Sequence, residues 1–175
     1  MAQYRFLVLF ICFYLLSLIQ GSFFVPLSIS GVSPNFVLVL ACLIFFFDSS
    51  HRYTSILAII IGGFFLDLFS DVNFGVSILS LLIVYVFVKE LLRVLRGIPR
   101  KYLVFYFMPI FVFCVILYDF LFGAFSLLFD RSTIISFGGY ALGIKILFNL
   151  CFAIPSFYIF KKIADAKTCK SKGIR

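Results

Sequence analysis

Three ionisable residues stand inside long apolar runs of this 175-residue chain: Asp67 in "IIIGGFFLDLFSDVNFG", Asp119 in "VILYDFLFG" and Lys145 in "LGIKILFNL". A charge in hydrocarbon costs roughly 2.5–3.5 kcal/mol unless it is paired or reaches water. Each must therefore hold something: an ion or proton in transit, an opposite charge, or a backbone group left open by a turn. Acid–base and metal chemistry would draw on clustered His, Glu or Cys. The one histidine, His51, lies beside Arg52 outside the apolar runs, and Glu90 lies in a basic stretch. Of five cysteines, Cys12, Cys42, Cys114 and Cys151 fall in apolar runs and Cys169 near the C-terminus, with no C-x-x-C spacing. Free thiols, no metal site, no cofactor and no catalytic residue are the expectation, since no phosphate loop or nucleophile motif occurs either.

The elements that would position these residues follow from composition. The chain is 64% hydrophobic and 13% charged, against roughly 45–50% and about 25% in soluble domains. An integral membrane protein is implied. A span needs about 20 apolar residues, and six segments qualify or come close, at 6–27, 34–47, 53–69, 74–88, 103–129 and 134–160. The fold class expected is an all-α, six-helix transmembrane bundle forming a single domain over 1–175, with a basic tail at 161–175. The second segment is the shortest, with twelve uninterrupted apolar residues from Phe36 to Phe47, or about 18 Å of helix. "SPN" before it offers Ser33 as N-cap with Pro34 at the first helical position, and "DSSHR" after it could prolong the helix into the headgroups. A helix hairpin or re-entrant segment is the alternative there.

Basic residues orient the bundle, because cytoplasmic flanks carry the excess of Lys and Arg. With both termini inside, thirteen of the fifteen fall in cytoplasmic segments: Arg5, Arg52, Lys89, Arg93, Arg96, Arg100, Lys101, Lys161, Lys162, Lys167, Lys170, Lys172 and Arg175. Arg131 alone is outside, and Lys145 lies within a span. The net charge of +8 thus reads as a topology signal and not as a nucleic-acid surface. The first apolar run resembles a signal peptide, but "SLIQGSFF" puts Ile19 where a small residue belongs, so an uncleaved helix is expected.

The fifth and sixth segments form a hairpin about "DRST", and antiparallel residues at equal depth sum to about 263 by this count; Asp119 and Lys145 sum to 264. The two are expected to pair near mid-bilayer, fixing how the helices pack; an ion or proton path is the sharper alternative. "GGYALG" places Gly139 and Gly143 in a G-x-x-x-G, a face for ordinary packing within the bundle, for a partner, or for a homodimer. Asn149 lies one turn past Lys145.

Asp67 differs, for it closes the third segment at its outer end, where it is expected to reach water. Gly63, Asp67 and Asp71 are spaced by four and share a face if the helix persists, with Gly62 and Gly63 admitting a close neighbour. "SDVNFG" reads as a turn in which Gly75 supplies an unrestricted backbone. A polar turn that ends the helix, or a partner or ligand site, are the two readings.

The stretch Ile60–Ser80, "IIGGFFLDLFSDVNFGVSILS", resembles the pattern of the MreD family of rod shape-determining proteins: a helical glycine, Asp-Leu after an apolar run, a short turn, a glycine and another apolar helix. "FFVPLSISGVSPNFVLVLACLIFF" is similar to that family's Gly-x-x-Pro-Asp opening of the second helix, with Asn35 where Asp is usual. The resemblance implies a non-enzymatic inner-membrane member of the elongation complex. Its implied partners are a single-span MreC-like scaffold, an MreB-like filament, a RodA-like glycosyltransferase and a penicillin-binding transpeptidase, and its role is in lateral peptidoglycan synthesis and cell shape. It also implies a fold like the substrate-binding subunits of energy-coupling-factor transporters. A vitamin-binding subunit of that kind is the runner-up, against which the first segment offers no Ala-x-x-x-Ala face. Pro34, Asn35, Gly62, Gly63, Asp67 and Gly75 are the candidate partner or structural site. "KELLRVLRGIPRK" extends the fourth helix as a basic amphipathic stretch suited to anionic lipid or to cytoplasmic filament components. The tail "KKIADAKTCKSKGIR" reads as a solvated, frayed end.

Overall fold

A computed structural model describes residues 2–24, 28, 32–47, 52–69, 74–95, 103–129 and 139–172. They form six α-helices: α1 (Ala2–Ile19), α2 (Phe36–Phe47), α3 (Arg52–Leu68), α4 (Val76–Val94), α5 (Leu103–Phe129) and α6 (Gly139–Lys172). A π-helical turn, Gln20–Phe24, prolongs α1. Two helical stretches, Phe105–Leu128 and Tyr140–Ile163, are long and apolar enough to cross a membrane; Phe6–Ser22, Phe36–Phe47 and Tyr53–Leu68 are shorter apolar helices.

The short helix is the centre. Ten of the twelve residues of α2 are buried, and it packs against every other helix. Enclosure explains why so short an apolar segment is stable, since the N–H groups at its start meet protein groups instead of hydrocarbon. Its start differs from the expectation. Neither Ser33 nor Pro34 is helical; Asn35 is the cap, its Oδ1 accepting the Leu38 N–H at 2.9 Å, the side-chain-to-N3 bond that favours Asn at this position. Pro34, buried, lies in the non-helical stretch that leads to it. Asp48–His51 fall outside the described residues, so the extension into "DSSHR" does too.

Two glycines close α1, α3 and α4 on one another. A Cβ built on Gly63 would lie 2.7 Å from the Cα of Ile78 and 3.0 Å from its nitrogen. Only a glycine lets α3 and α4 meet at that distance. On Gly62 a Cβ would stand 3.1 Å from the ring of Phe13, the one hydrophobic side chain of α1 in the buried core among the described residues. At the other end of the bundle, aromatic rings interlock: Phe107 lies 4.5 Å from Phe157 and 5.2 Å from Phe46, centroid to centroid, and Phe47 lies 5.1 Å from Phe157.

The helices α5 and α6 pair in the register inferred from the hairpin, Phe107 meeting Phe157 as Asp119 meets Lys145. Both carry an interior proline, Pro109 and Pro155, each removing one intrahelical hydrogen bond. One boundary agrees with expectation and one differs. The helix α4 runs to Val94 with Leu95 as its C-cap, so the basic extension is helical as far as it is described, while Arg96, Gly97, Arg100 and Lys101 lie outside. The helix α6 continues through Lys172, so the backbone of the tail is helical to that point. Lys and Ala, both strong helix formers, fill much of it.

Candidate functional site

The starts of α2, α4 and α6 lie toward one end of the bundle, called the upper end here. A polar layer crosses the molecule there, touching every helix.

It begins at Asp67, one residue from the end of α3. The carboxylate accepts the N–H of Gly75 through Oδ2 at 2.7 Å and the N–H of Ser77 through Oδ1 at 2.8 Å. Asp67 therefore caps α4 from the preceding helix. Gly75, the N-cap residue itself, has φ of +100° and no side chain with which to cap, and open space where its Cβ would be. Its glycine answers to the left-handed backbone and not to crowding. A carboxylate at a helix N-terminus gains both from open N–H groups and from the helix dipole. The expectation that Asp67 reaches water is not met: it is 2% exposed, because the N–H groups of α4 take the place of solvent. Asp71 falls outside the described residues, so the part of the Gly63–Asp67–Asp71 face that depends on it does too.

From Ser77 the layer passes to α5, where the Tyr118 hydroxyl donates to Ser77 Oγ at 3.2 Å. Beside Tyr118, Asp119 Oδ1 accepts from Lys145 Nζ of α6 at 2.7 Å. The lysine side chain is 29% exposed and the aspartate 12%, so the pair is sheltered without being sealed. One turn further along α6, Asn149 is fully buried, and its Oδ1 accepts the Asn35 N–H at 2.7 Å. Gln20 Oε1, from the π turn, accepts the Phe36 N–H at 3.0 Å. With the Asn35 side chain on Leu38, three amide oxygens from α1's extension, α2 and α6 hold the start of α2. The Asn149 Nδ2 group has no partner among the described residues. Its orientation is nonetheless settled, since turning the amide over would face Nδ2 against the Asn35 N–H.

The structure thus brings Asp67 and Gly75 together, and likewise Asp119 with Lys145, and Asn35 with Asn149. Gly62 and Gly63 lie below this layer as packing positions. Of the alternatives for Gly143, the structure bears on packing within the bundle alone: the residue is exposed, and nothing described lies within 4 Å of where its Cβ would be. Packing among the described residues does not use it. Gly139 is helical, and its surroundings fall outside the described side chains. Gln20, Ser77 and Tyr118 were not anticipated. Their signal was in the sequence, as hydrogen-bonding groups embedded in apolar runs, but which helix end each served needed the fold. At the lower end Lys89 stands 5.6 Å above the Tyr85 ring, and Arg93 pairs with Glu90 at 2.7 Å on the exposed surface. Among the described residues no three His, Cys, Asp or Glu side chains come together.

Comparison with protein-family models, with characterised proteins and with solved structures returned no match for this chain.

Proposed function

We propose that the chain is a multi-pass protein of the bacterial cytoplasmic membrane, with both termini inside, and a non-enzymatic component of the rod, or elongation, complex of the MreD kind. The observation that carries this reading is that the family-like segment Ile60–Ser80 acts as one device. Gly63 brings α3 and α4 into contact, Asp67 caps α4, and Gly75 turns the chain between them. Each residue that makes the pattern thereby has a physical task in building the outward-facing turn.

The membrane placement is supported by the surface. Phe120, Leu128, Tyr140 and Leu147 are 61–76% exposed, and large apolar side chains displayed this widely suit hydrocarbon and not water. With basic residues inside, Lys145 lies sixteen residues from Lys161 along α6 and Asp119 sixteen from Leu103 along α5. At 1.5 Å per residue both are about 24 Å into a core of about 30 Å. That moves the ion pair outward from the mid-bilayer level expected above, to the depth of Asp67 and the start of α4.

In this role the protein would hold an MreC-like single-span scaffold beside an MreB-like filament, a RodA-like glycosyltransferase and a penicillin-binding transpeptidase, and so help direct lateral wall synthesis. Detergent extraction of tagged protein from its native membrane, followed by mass spectrometry of what accompanies it, tests this. An MreC-like scaffold is the expected companion. Recovery of an ATPase with a coupling membrane subunit would instead assign the chain to vitamin transport.

A further inference from the structure

The apolar surface is not of one height around the bundle. On α3 the exposed stripe Ile56, Ile60, Phe64 and Leu68 lies on a helix of about 24 Å from Arg52 to Leu68, and Ser70, Asp71 and Asn73 follow it in the sequence. On α4, Leu79, Leu82 and Val86 are exposed, and only about 20 Å of helix separates Val76 from Lys89. The helix α5, Asp119 apart, stays apolar from Leu103 to Phe129, about 39 Å. We infer that the α3–α4 face thins the bilayer beside it and gathers phospholipids with short acyl chains. The inference rests on the membrane placement proposed above.

Neighbouring helices show the step directly. Phe87 of α4 stacks on Phe113 of α5 with 4.6 Å between centroids, and the two helices run in opposite directions. Counted equally downward from that contact, Glu90 is level with Ile110 and Arg93 with Phe107. Glu90 and Arg93 form an ion pair whose side chains are 57% and 63% exposed, and such a pair belongs among headgroups and water. Below that level α5 continues apolar, with Phe105 78% exposed. Hydrocarbon that reaches Phe105 would also cover the ion pair, unless its inner boundary rises from α5 to α4.

Neither tilt nor side-chain reach removes the mismatch. Tilting reduces the height a helix spans, so it fits α5 to a core of about 30 Å but leaves α3 and α4 shorter still. A lysine at a helix end can stretch toward the headgroups, but Lys89 turns the other way: its Nζ stands 5.6 Å from the centre of the Tyr85 ring, one turn toward the upper end. The close approach at Gly63 holds α3 and α4 at one level, so they do not gain height by sliding. The face is therefore about 6–10 Å short of the core. An ordinary spanning helix, with about 30 Å of apolar surface of its own, would overhang it. Short acyl chains match it, and the cost of mismatch they avoid grows with each ångström.

The chain has no tryptophan, so Ile60→Trp and Leu82→Trp each report from the short face, and Phe120→Trp, at a position 61% exposed, reports from α5. Each variant is reconstituted in bilayers of equal parts dimyristoleoyl and dierucoyl phosphatidylcholine, with bromine on the chains first of one lipid and then of the other. Quenching at Ile60→Trp and Leu82→Trp should show the short chain favoured roughly threefold, and at Phe120→Trp no preference for it. Adding Lys89→Leu and Glu90→Leu lengthens the apolar run of α4 by about one turn and should bring the ratio at Leu82→Trp toward one. Ile56→Trp, on the same stripe, serves where Ile60→Trp does not fold. The same ratio at all reporters would overturn the inference, as would a ratio at Leu82→Trp unchanged by the longer run. Quenching at Phe120→Trp alone would overturn it too, by showing the short face covered by protein. No quenching at any position would mean that the chain is not embedded, and the membrane placement would then fall along with the inference.

Discussion

Two helix starts, α4 and α2, face the same problem and solve it with different chemistry. Each begins inside the bundle with N–H groups that have no intrahelical partner. At α4 a single carboxylate, Asp67, takes two of them. At α2 three neutral amides take one each, from Gln20, Asn35 and Asn149. Depth accounts for the choice. Asp67 lies at the level of Tyr118 and the Asp119–Lys145 pair, near the outer edge in the proposed placement. Asn149 lies a further turn inward, where an uncompensated charge would cost more than an amide dipole. Concentrating the cap in one residue also makes α4 depend on that residue, whereas α2 spreads its dependence across three helices.

The largest effect should come from the contact that lets α3 and α4 meet at all. Gly63→Val places a Cβ within 2.7 Å of the Ile78 backbone, and no rotamer change relieves a backbone clash. A loss of about 3 kcal/mol or more is expected, read as loss of a monodisperse peak in detergent. A variant that chromatographs normally would mean α3 and α4 do not need this approach, and would remove the geometric basis for Asp67 as a cap. Next is Asp67→Ala, which orphans two N–H groups and should cost about 2–3 kcal/mol, seen as a fall in thermal stability in detergent micelles. Asp67→Asn keeps one acceptor and should lose about half as much. Equal stability of Asp67→Ala and wild type would break the comparison, leaving α4 capped by other means.

How much of this was legible in the sequence depends on whether the information is local or long-range. The body of α2, though not its start, was written in twelve unbroken apolar residues between "SPN" and "DSSHR". The Asp119–Lys145 register followed from hairpin geometry, because antiparallel neighbours must sum to a constant. Asp67 in a helix-ending turn was legible, and its role as a cap was not, because the turn placed it near open water and nothing local tells which N–H groups fold back onto it. Asn149 and Gln20 were least legible: each serves a helix that is distant in the chain, so only tertiary packing assigns it. Pro34 misled through a local rule, since the first-turn preference for proline lost to a stronger cap at Asn35. Gly143 was legible only as a close-approach face, and its spacing alone did not say whether a helix of this chain or another molecule would use it.

The start of α2 should be the more forgiving. Asn149→Leu leaves the Asn35 N–H without its acceptor, but it also removes the Nδ2 donor, which has no partner among the described residues. These oppose one another, so the net cost should be about 1–2 kcal/mol, below that of Asp67→Ala in the same thermal assay. Were Asn149→Leu the more damaging of the two, the distributed cap would be the critical one, and the depth argument would reverse.

The smallest effect should come from removing both charges of the pair that links α5 to α6. Lys145→Met alone leaves the Asp119 carboxylate, 12% exposed, without its ammonium, and Asp119→Leu alone leaves the lysine unmatched; each should destabilise. The double variant removes both desolvation costs along with the attraction, and pairs of this kind are often near neutral when replaced by apolar groups of similar size. A net change under about 1 kcal/mol is therefore expected, with a positive coupling between the single substitutions. The charge swap, Asp119→Lys with Lys145→Asp, should retain most of the stability. If the double variant is stable and still recovers the same partners, the pair serves only to set the helix register. If it is stable and the partners are lost, the charges have a task that Asp67 does not share, and the two regions differ in function as well as in chemistry.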